Sequence, residues 1–127
     1  MNLEKIKELI EISKLLENDV EISKKETTMD KFYVGRKVII RTYSAGVHFG
    51  EVVEKEGKEI ILKNARRLWY WKTSNNGISL SEVANEGLHS DSKVCQAVEN
   101  IWLEAIEIIP CSPNAIKNIE AQNEYKS

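Results

Sequence analysis

Four runs of β-branched and aromatic residues, separated by short breaks, are the feature that most constrains the fold of this chain. The small residues Ser44-Ala45-Gly46 separate the first run from the second, and Glu56-Gly57 separates the second from the third. A short break that contains glycine between two such runs is typical of a β-hairpin. The pattern therefore predicts antiparallel strands. They are Val38–Tyr43, Val47–Lys55, Lys58–Leu62 and Arg66–Lys72.

The second half of the chain carries signals for two short helices and further strands. Ser79 has capping-box spacing to Glu82, and Ser112 is followed by a proline that suits a first helical turn. A serine at this position favours a helix start because its hydroxyl can accept a hydrogen bond from a free backbone N–H group. The predicted elements of this half are helices at Ser81–Glu86 and Pro113–Ile119, and strands at Val94–Val98 and Ile101–Ile109 with a bulge near Glu104-Ala105.

These elements predict an α+β fold: a small twisted antiparallel sheet or partly open barrel with two short helices. Leucine and isoleucine recur at helical three- and four-residue spacings from Leu3 to Asn18. This periodicity predicts an additional N-terminal amphipathic helix. We expect residues 1–30 to form that helix and a linker, 31–120 to form a β-rich binding domain, and 121–127 to form a frayed tail.

Charge and composition exclude several classes of protein. The formal net charge is −2, whereas a protein that binds duplex nucleic acid usually carries a basic surplus. Cys95 and Cys111 lie in no zinc-type spacing, so we predict neither a metal site nor a cofactor. The sequence contains no signal-peptide pattern and no apolar run of about 18 residues. We therefore expect a cytoplasmic protein that does not act on membranes.

The run of arginine and aromatic residues at 66–71 carries the strongest candidate binding chemistry. Side chains alternate between the two faces of a strand, so Arg67, Trp69 and Trp71 are predicted to share one face and Arg66 to lie on the other. Indole rings stack on nucleobases and guanidinium groups pair with phosphate oxygens, which favours a nucleotide as the ligand. The alternative is that the tryptophans belong to the core and the arginines to a solvated rim.

The turn after the first predicted strand is a second candidate site. Its residues are Arg41, Tyr43, Ser44, Ala45, Gly46 and His48. Small residues let the backbone approach a ligand closely, and a turn can direct N–H groups at an anion. The alternative is a tight hairpin turn in which glycine only supplies the backbone conformation. We expect His48 to contact a ligand rather than to act as a catalyst, because it lies in no catalytic motif.

Four segments of the chain resemble a small family of uncharacterised proteins found in tailed phages and prophages. The segments are RTYSAGVHFG at 41–50, LKNARRLWYW at 62–71, ISLSEVA at 78–84 and AIEIIP at 105–110. The resemblance covers roughly Phe32 to Ile119 and leaves out the predicted N-terminal helix. It implies a phage or prophage setting, in which small proteins counteract host defence and one group sequesters cyclic nucleotide signals.

We therefore expect a counter-defence binding protein that sequesters a nucleotide-derived immune signal, a cyclic oligonucleotide, without cleaving it. Aromatic rings would stack on the bases, arginines would hold the phosphates, and the turn backbone would line the pocket. The residues expected to bind are Tyr43, Trp69 and Trp71 for stacking, Arg41, Arg66 and Arg67 for phosphates, Ser44, Ala45 and Gly46 at the turn, and His48.

Two other functions remain open at this stage. Exposed aromatic and arginine side chains would also suit a protein inhibitor or phage accessory protein, because interface hot spots are rich in Trp, Tyr and Arg. Cleavage of a phosphodiester would need His48 together with a carboxylate or a metal ion, and the main domain has few aspartates. A strand-rich domain with an amphipathic helix also predicts a homo-oligomer.

Overall fold

The structure is a computed structural model that describes residues 28–126. The helix predicted at Leu3 to Asn18 lies outside these residues. The described strands are β1 (Lys37–Thr42), β2 (Val47–Glu56), β3 (Glu59–Tyr70), β4 (Lys93–Val94) and β5 (Val98–Pro110), and the described helices are α1 (Thr28–Tyr33), α2 (Leu80–Glu86) and α3 (Pro113–Glu120). The predicted α+β class is confirmed. None of these described helices combines the length and the apolar content that crossing a bilayer requires.

The strands form one antiparallel sheet in the order β2-β1-β5-β3-β4, and β2 additionally pairs with β3. Each of β1, β2, β3 and β5 is therefore hydrogen-bonded to two of the others, so their pairings form a closed circuit. The long strand β5 makes this circuit possible because its first half pairs with β3 and its second half pairs with β1. The short strand β4 lies outside the circuit, beside β3.

The sheet separates two hydrophobic clusters, and β1 contributes to both. Val38 and Ile40 pack in an inner cluster with side chains of β2, β3 and β5. Ile39 points to the opposite side and packs in an outer cluster with residues of α2 and α3. Both faces of β1 are thus buried, which explains why its sequence is apolar without alternation. Full burial of a side chain of this size stabilises the fold by about 1.5–3 kcal/mol.

Both predicted helix starts are confirmed. The hydroxyl oxygen of Ser79 accepts from the Glu82 N–H at 3.4 Å, and that of Ser112 accepts from the Ala115 N–H at 3.1 Å. The Glu82 carboxylate accepts from the side-chain amide of Asn75 at 2.9 Å. Ser79 therefore caps α2, and Glu82 links this helix to the preceding loop.

The strand predictions needed two corrections. The runs at 58–62 and 66–72 belong to one continuous strand, β3. The predicted break between them is a β-bulge, at which Asn64 adopts a φ of +50° and β3 holds one residue more than β2. The predicted strand at Val94–Val98 is shorter, since regular pairing in β4 ends at Val94. The bulge predicted in β5 is present at Ile106, where the register with β1 shifts.

Both ends of the described chain are more ordered than the sequence suggested. Residues 28–30, which the sequence analysis assigned to a linker, form the first turn of α1. Beyond α3, Glu124 bridges to Val94, and the Tyr125 N–H donates to the Val94 carbonyl at 2.7 Å. The tail therefore covers the edge of β4 that does not pair with β3.

Candidate functional site

The turn between β1 and β2 positions the first part of the candidate site. The Thr42 hydroxyl donates to the Gly46 carbonyl at 2.8 Å, and its oxygen accepts from the Ala45 N–H at 2.8 Å. Gly46 has a φ of +85°, a conformation that residues with a side chain adopt only with strain. Threonine and glycine thus close a tight hairpin turn, and this turn leaves Tyr43 91% exposed.

A recess of about 420 Å³ lies between this turn and β5. Trp102 forms part of its wall and is 54% exposed, because alternation along β5 directs its neighbour Leu103 into the inner cluster. The recess therefore offers a ligand two aromatic side chains, Tyr43 and Trp102, from distant parts of the chain. We call it the aromatic recess, and it is lined by Thr42, Tyr43, Ser44, Ala45, Lys58, Trp102, Leu103, Glu104 and Ile106.

A second recess, of about 190 Å³, lies beside β2, β3 and the start of β5. His48 of β2 and Arg67 of β3 are direct cross-strand partners, so their side chains project from the same face. Within residues 28–126, the Arg67 guanidinium has no hydrogen-bond or ion-pair partner. We call this the arginine recess, and it is lined by His48, Ala65, Arg67, Cys95, Gln96, Val98 and Ile101.

His48 is almost completely buried, with 1% of its surface exposed. Its ring nitrogen Nε2 lies 2.8 Å from the Ala45 carbonyl oxygen. Because a carbonyl can only accept, Nε2 carries the proton and donates. Burial lowers the pKa of His48, the bond to Ala45 opposes this shift, and the nearby Arg67 cation lowers the pKa further. The imidazole is therefore neutral at pH 7, and Nδ1 carries a lone pair.

A hydrogen bond links the two recesses, because Ala45 lines the aromatic recess and His48 lines the arginine recess. We refer to the pair of recesses as the cleft. One side of the cleft presents aromatic rings and the ammonium group of Lys58, and the other presents an unpaired guanidinium beside a neutral imidazole. This combination suits a ligand that joins a flat ring to an anionic group.

Arg66 lies on the face of β3 opposite Arg67, and backbone carbonyls occupy its guanidinium. Its Nε–H donates to the Cys95 carbonyl at 2.9 Å, and Nη1 donates to the carbonyls of Ile119 and Gln122 at 3.0 and 2.8 Å. The side chain is buried and ties β3 to the end of α3. Arg66 is therefore placed away from the cleft, in a structural position rather than the phosphate-binding one we had expected.

Three further predicted residues also lie outside the cleft. Arg41 forms an ion pair with Glu107 of the adjacent strand at 3.1 Å. Trp69 is 65% exposed but lines neither recess. Trp71 is half-buried against the outer cluster, and its Nε1–H donates to the Ile78 carbonyl at 3.1 Å. Trp69 of β3 and Trp71, which follows the strand, therefore do not form the common platform that strict alternation predicted.

The sequence analysis placed Tyr43, Ser44, Ala45, His48 and Arg67 at the site, and the structure brings these residues together. Gly46 closes the turn that carries them. Trp102 and Lys58 also line the aromatic recess, and neither was predicted from the sequence. A signal for Trp102 was present, because it stands between two inward-facing residues of an alternating run. Lys58 carried none, since it looked like one of many solvated lysines.

Comparison with curated proteins finds no match, and comparison with solved structures finds none either. A family model matches residues 35–119. That region contains all the strands described above, the helix α2, almost all of α3, and every residue of the cleft. Since the match spans most of the chain, the protein belongs to the family described as Domain of unknown function (DUF6948).

Proposed function

We propose that this protein sequesters a nucleotide-derived signal, a cyclic oligonucleotide, in the cleft without cleaving it. The unpaired guanidinium of Arg67, in a recess linked through the Ala45–His48 hydrogen bond to the one that Tyr43 and Trp102 line, is the observation that most supports this function. A guanidinium presents a planar set of donors to phosphate oxygens. An aromatic ring stacked on a base contributes about 1–3 kcal/mol to binding.

The charge of the cleft supports a small ligand with few phosphates. Arg67 and Lys58 are the cations among its lining residues and Glu104 is the carboxylate, and the chain as a whole has a net charge of −2. A polymer held through its backbone needs many such cations, because each neutralised phosphate adds to the affinity. A cyclic di- or trinucleotide needs only one or two, and its bases can enter the aromatic recess while a phosphate reaches Arg67.

The chemistry around His48 supports binding rather than cleavage. Breaking a phosphodiester bond requires a base and also an acid that protonates the leaving oxygen. The lowered pKa of His48 makes it a weak base. The other residues of the arginine recess include no carboxylic acid, no lysine and no second histidine. We therefore propose that the ligand leaves the protein unchanged.

The biological role that we propose for this binding is counter-defence. The resemblance to tailed-phage proteins implies action in the cytoplasm of an infected cell, where removal of a cyclic nucleotide signal would blunt a host immune response. Sequestration of this kind needs tight binding and no turnover, which agrees with aromatic walls in one recess and, in the other, a free cation beside His48 with no carboxylic acid.

A thermal-shift screen with recovery of the ligand tests this function. The protein is incubated with linear and cyclic di- and trinucleotides, its melting temperature is measured, and the nucleotides are then analysed by mass spectrometry. A ligand that binds only the folded state raises the melting temperature. We expect a rise with a cyclic nucleotide that is recovered intact. Recovery of cleaved nucleotide would indicate an enzyme, and no rise with any nucleotide would refute the proposal.

Matched charge variants locate the binding site in the same screen. Arg67→Ala removes the unpaired guanidinium and is expected to abolish the shift while leaving the ligand-free melting temperature unchanged. Lys63→Ala is the control, because Lys63 is an exposed cation of the same strand that pairs with Glu51 outside the cleft. An equal loss of shift in both variants would mean that only the overall charge matters.

Binding of a protein partner is the second candidate function. Trp69 and Tyr70 are both exposed on β3, outside the two recesses, and residues of these types dominate interface hot spots. A partner would then contact the end of β3 that carries these two side chains. The absence of any nucleotide-induced shift, together with a host protein whose binding is lost in Trp69→Ala, would favour this function.

A further inference from the structure

His48 holds a hydrogen-bond acceptor that the fold does not use. The one hydrogen bond of its side chain is donated by Nε2, so Nδ1 has no partner within residues 28–126. No fully buried polar side-chain atom of that part of the chain lacks a partner. Nδ1 therefore keeps contact with solvent. The opening next to His48 is the arginine recess, so the free lone pair faces the cavity that contains Arg67.

Arg67 and His48 recognise different ligand groups within the same recess. Arg67 offers donors and a positive charge, whereas neutral His48 offers only an acceptor in this recess. The residues that face His48 there and carry a charge or a titratable group are Arg67 and Cys95. A ligand that satisfies both must carry an anionic group with a hydrogen-bond donor beside it. A phosphodiester with no hydroxyl group beside it binds Arg67 but gives Nδ1 of His48 no hydrogen-bond donor.

Resting on the nucleotide-binding function proposed above, we infer that His48 is a specificity-determining residue that selects ribonucleotides. The ribose hydroxyl donates to Nδ1 while the neighbouring phosphate binds Arg67. A ribose carries its 2′-hydroxyl on the carbon next to the 3′-phosphate, so both groups fit one recess. A 2′-deoxy ligand keeps the phosphate contact and the stacked base but has no donor for Nδ1. An analogue that leaves a polar group of the site unpaired binds more weakly than the ligand that pairs with it, so the deoxy form is disfavoured.

Titration calorimetry with matched sugars tests this inference. The probes are cyclic di-adenylate, cyclic di-guanylate and cyclic tri-adenylate, each in its ribose and 2′-deoxyribose form. We expect the ribose form to bind roughly 3- to 10-fold more tightly than its deoxy counterpart, as one hydrogen bond supplies. Equal affinity for the two sugars would overturn the role of His48 and leave the proposed function intact. Failure of both sugars to bind would overturn both.

Two variants at position 48 separate the acceptor from the shape of the side chain. His48→Gln keeps a donor for the Ala45 carbonyl and an acceptor for the cavity, so it should retain the preference for ribose. His48→Leu fills a similar volume but has no acceptor, so it should bind both sugars with the affinity of the deoxy form. A full preference for ribose in folded His48→Leu would contradict the inference.

A spectroscopic measurement on the unaltered protein covers the case in which His48→Leu fails to fold. The ¹⁵N resonance of an unprotonated ring nitrogen moves when its lone pair accepts a hydrogen bond. We expect the Nδ1 resonance of His48 to move on saturation with the ribose form of the bound nucleotide among these probes, and to stay in place with its deoxy form. The same displacement with both sugars, or with neither, would overturn the assignment.

Discussion

Arg66 and Arg67 are adjacent in sequence, but they lie on opposite faces of β3 and have different roles. Arg66 is buried and donates to three carbonyls at 3.0 Å or less, from Cys95, Ile119 and Gln122. Arg67 is exposed at the cleft and has no partner within the described residues. One arginine thus stabilises the fold, while the other is free for a ligand.

The first prediction follows from this contrast. Arg66→Met should lower the free energy of unfolding by about 3 kcal/mol, because it leaves buried carbonyls without donors. Arg67→Ala removes an exposed and unpaired group, so its effect should stay within about 0.5 kcal/mol. Urea denaturation of both variants and the unaltered protein measures the difference. Similar losses in the two variants would contradict the roles assigned here.

His48 leads to a prediction about the dependence of stability on pH. Burial holds its folded-state pKa below the ordinary value of 6.5 that it takes in the unfolded chain. As the pH falls below 6.5, the unfolded state binds this proton before the folded state does. The free energy of unfolding should therefore decrease from pH 6.5 down to the folded pKa, and level off below it.

Urea denaturation between about pH 7.5 and pH 5 measures this loss. His48→Gln is the comparison, because its side chain does not titrate and can still donate to the Ala45 carbonyl. We expect the stability of His48→Gln to fall less steeply over this interval than that of the unaltered protein. Parallel curves would mean that other groups cause the acid sensitivity.

Sequence reasoning at this scale could separate Arg66 from Arg67 but could not decide which one is buried. Alternation fixes that the two side chains point in opposite directions. Both faces of β3 are apolar, however, because Leu62 packs in the inner cluster and Leu68 packs in the outer one. An apolar pattern on both faces does not show which arginine is buried and hydrogen-bonded. The carbonyls that accept from Arg66 belong to the distant residues Ile119 and Gln122.

Among the elements, α1 is attached to the sheet mainly through one carboxylate. Asp30 pairs with Lys55 of β2 at 2.5 Å, and its second oxygen accepts from the Gly57 N–H at 3.4 Å. Both side chains of the ion pair are largely buried. The bond from Lys55 lowers the pKa of Asp30 despite the opposing effect of burial. A largely buried ion pair therefore fastens this helix to β2, beside the packing of Tyr33 on the inner cluster.

Asp30→Asn tests this attachment. The variant removes the negative charge opposite a largely buried lysine, and it should lower the free energy of unfolding by about 2 kcal/mol. Glu120→Gln is the matched control, because Glu120 pairs with Lys37 at the same 2.5 Å but in a more exposed position. Its effect should be at most about 0.5 kcal/mol. Equal losses in urea denaturation would show that burial does not distinguish the two pairs.

The elements that sequence patterns missed share a physical reason. Runs of β-branched and aromatic residues predicted the strands β1, β2 and β5, where packing against a cluster dictates the residues. The helix α1 is six residues long and gave no periodic signal. The tail pairs with β4 through the backbone of Glu124 and Tyr125, which places no demand on side-chain type. Contacts made by charge or backbone alone are thus invisible to periodicity.

At the scale of the whole molecule, the sheet has little free edge. The pairings among β1, β2, β3 and β5 close on themselves, and the tail covers the outer side of the two-residue strand β4. Edge pairing was one of two arguments for a homo-oligomer. The described residues give that argument no long edge, so the predicted oligomer now depends on the apolar stripe from Leu3 to Leu16, outside the described residues.

The cleft is also a property of the whole molecule rather than of any one segment. Tyr43 comes from the first turn, Arg67 from β3 and Trp102 from β5, and the recesses that they line are linked through the hydrogen bond between Ala45 and His48. Single-sequence reasoning could nominate each residue type, but it had no means of knowing which strands become neighbours. It therefore chose the tryptophans nearest to the arginines in sequence, Trp69 and Trp71, and overlooked Trp102.

This difference gives the last prediction, which compares Trp102 in the cleft with Trp69 outside it. Trp102→Ala and Trp69→Ala each remove one exposed indole, but only Trp102 lines the cleft. Loss of a stacked base should weaken binding of the cyclic nucleotide about 5- to 100-fold in Trp102→Ala. Trp69→Ala should bind it within about twofold of the unaltered protein, since its ring touches neither recess. The reverse order of effects in titration calorimetry would place the ligand at the exposed Trp69 rather than in the cleft.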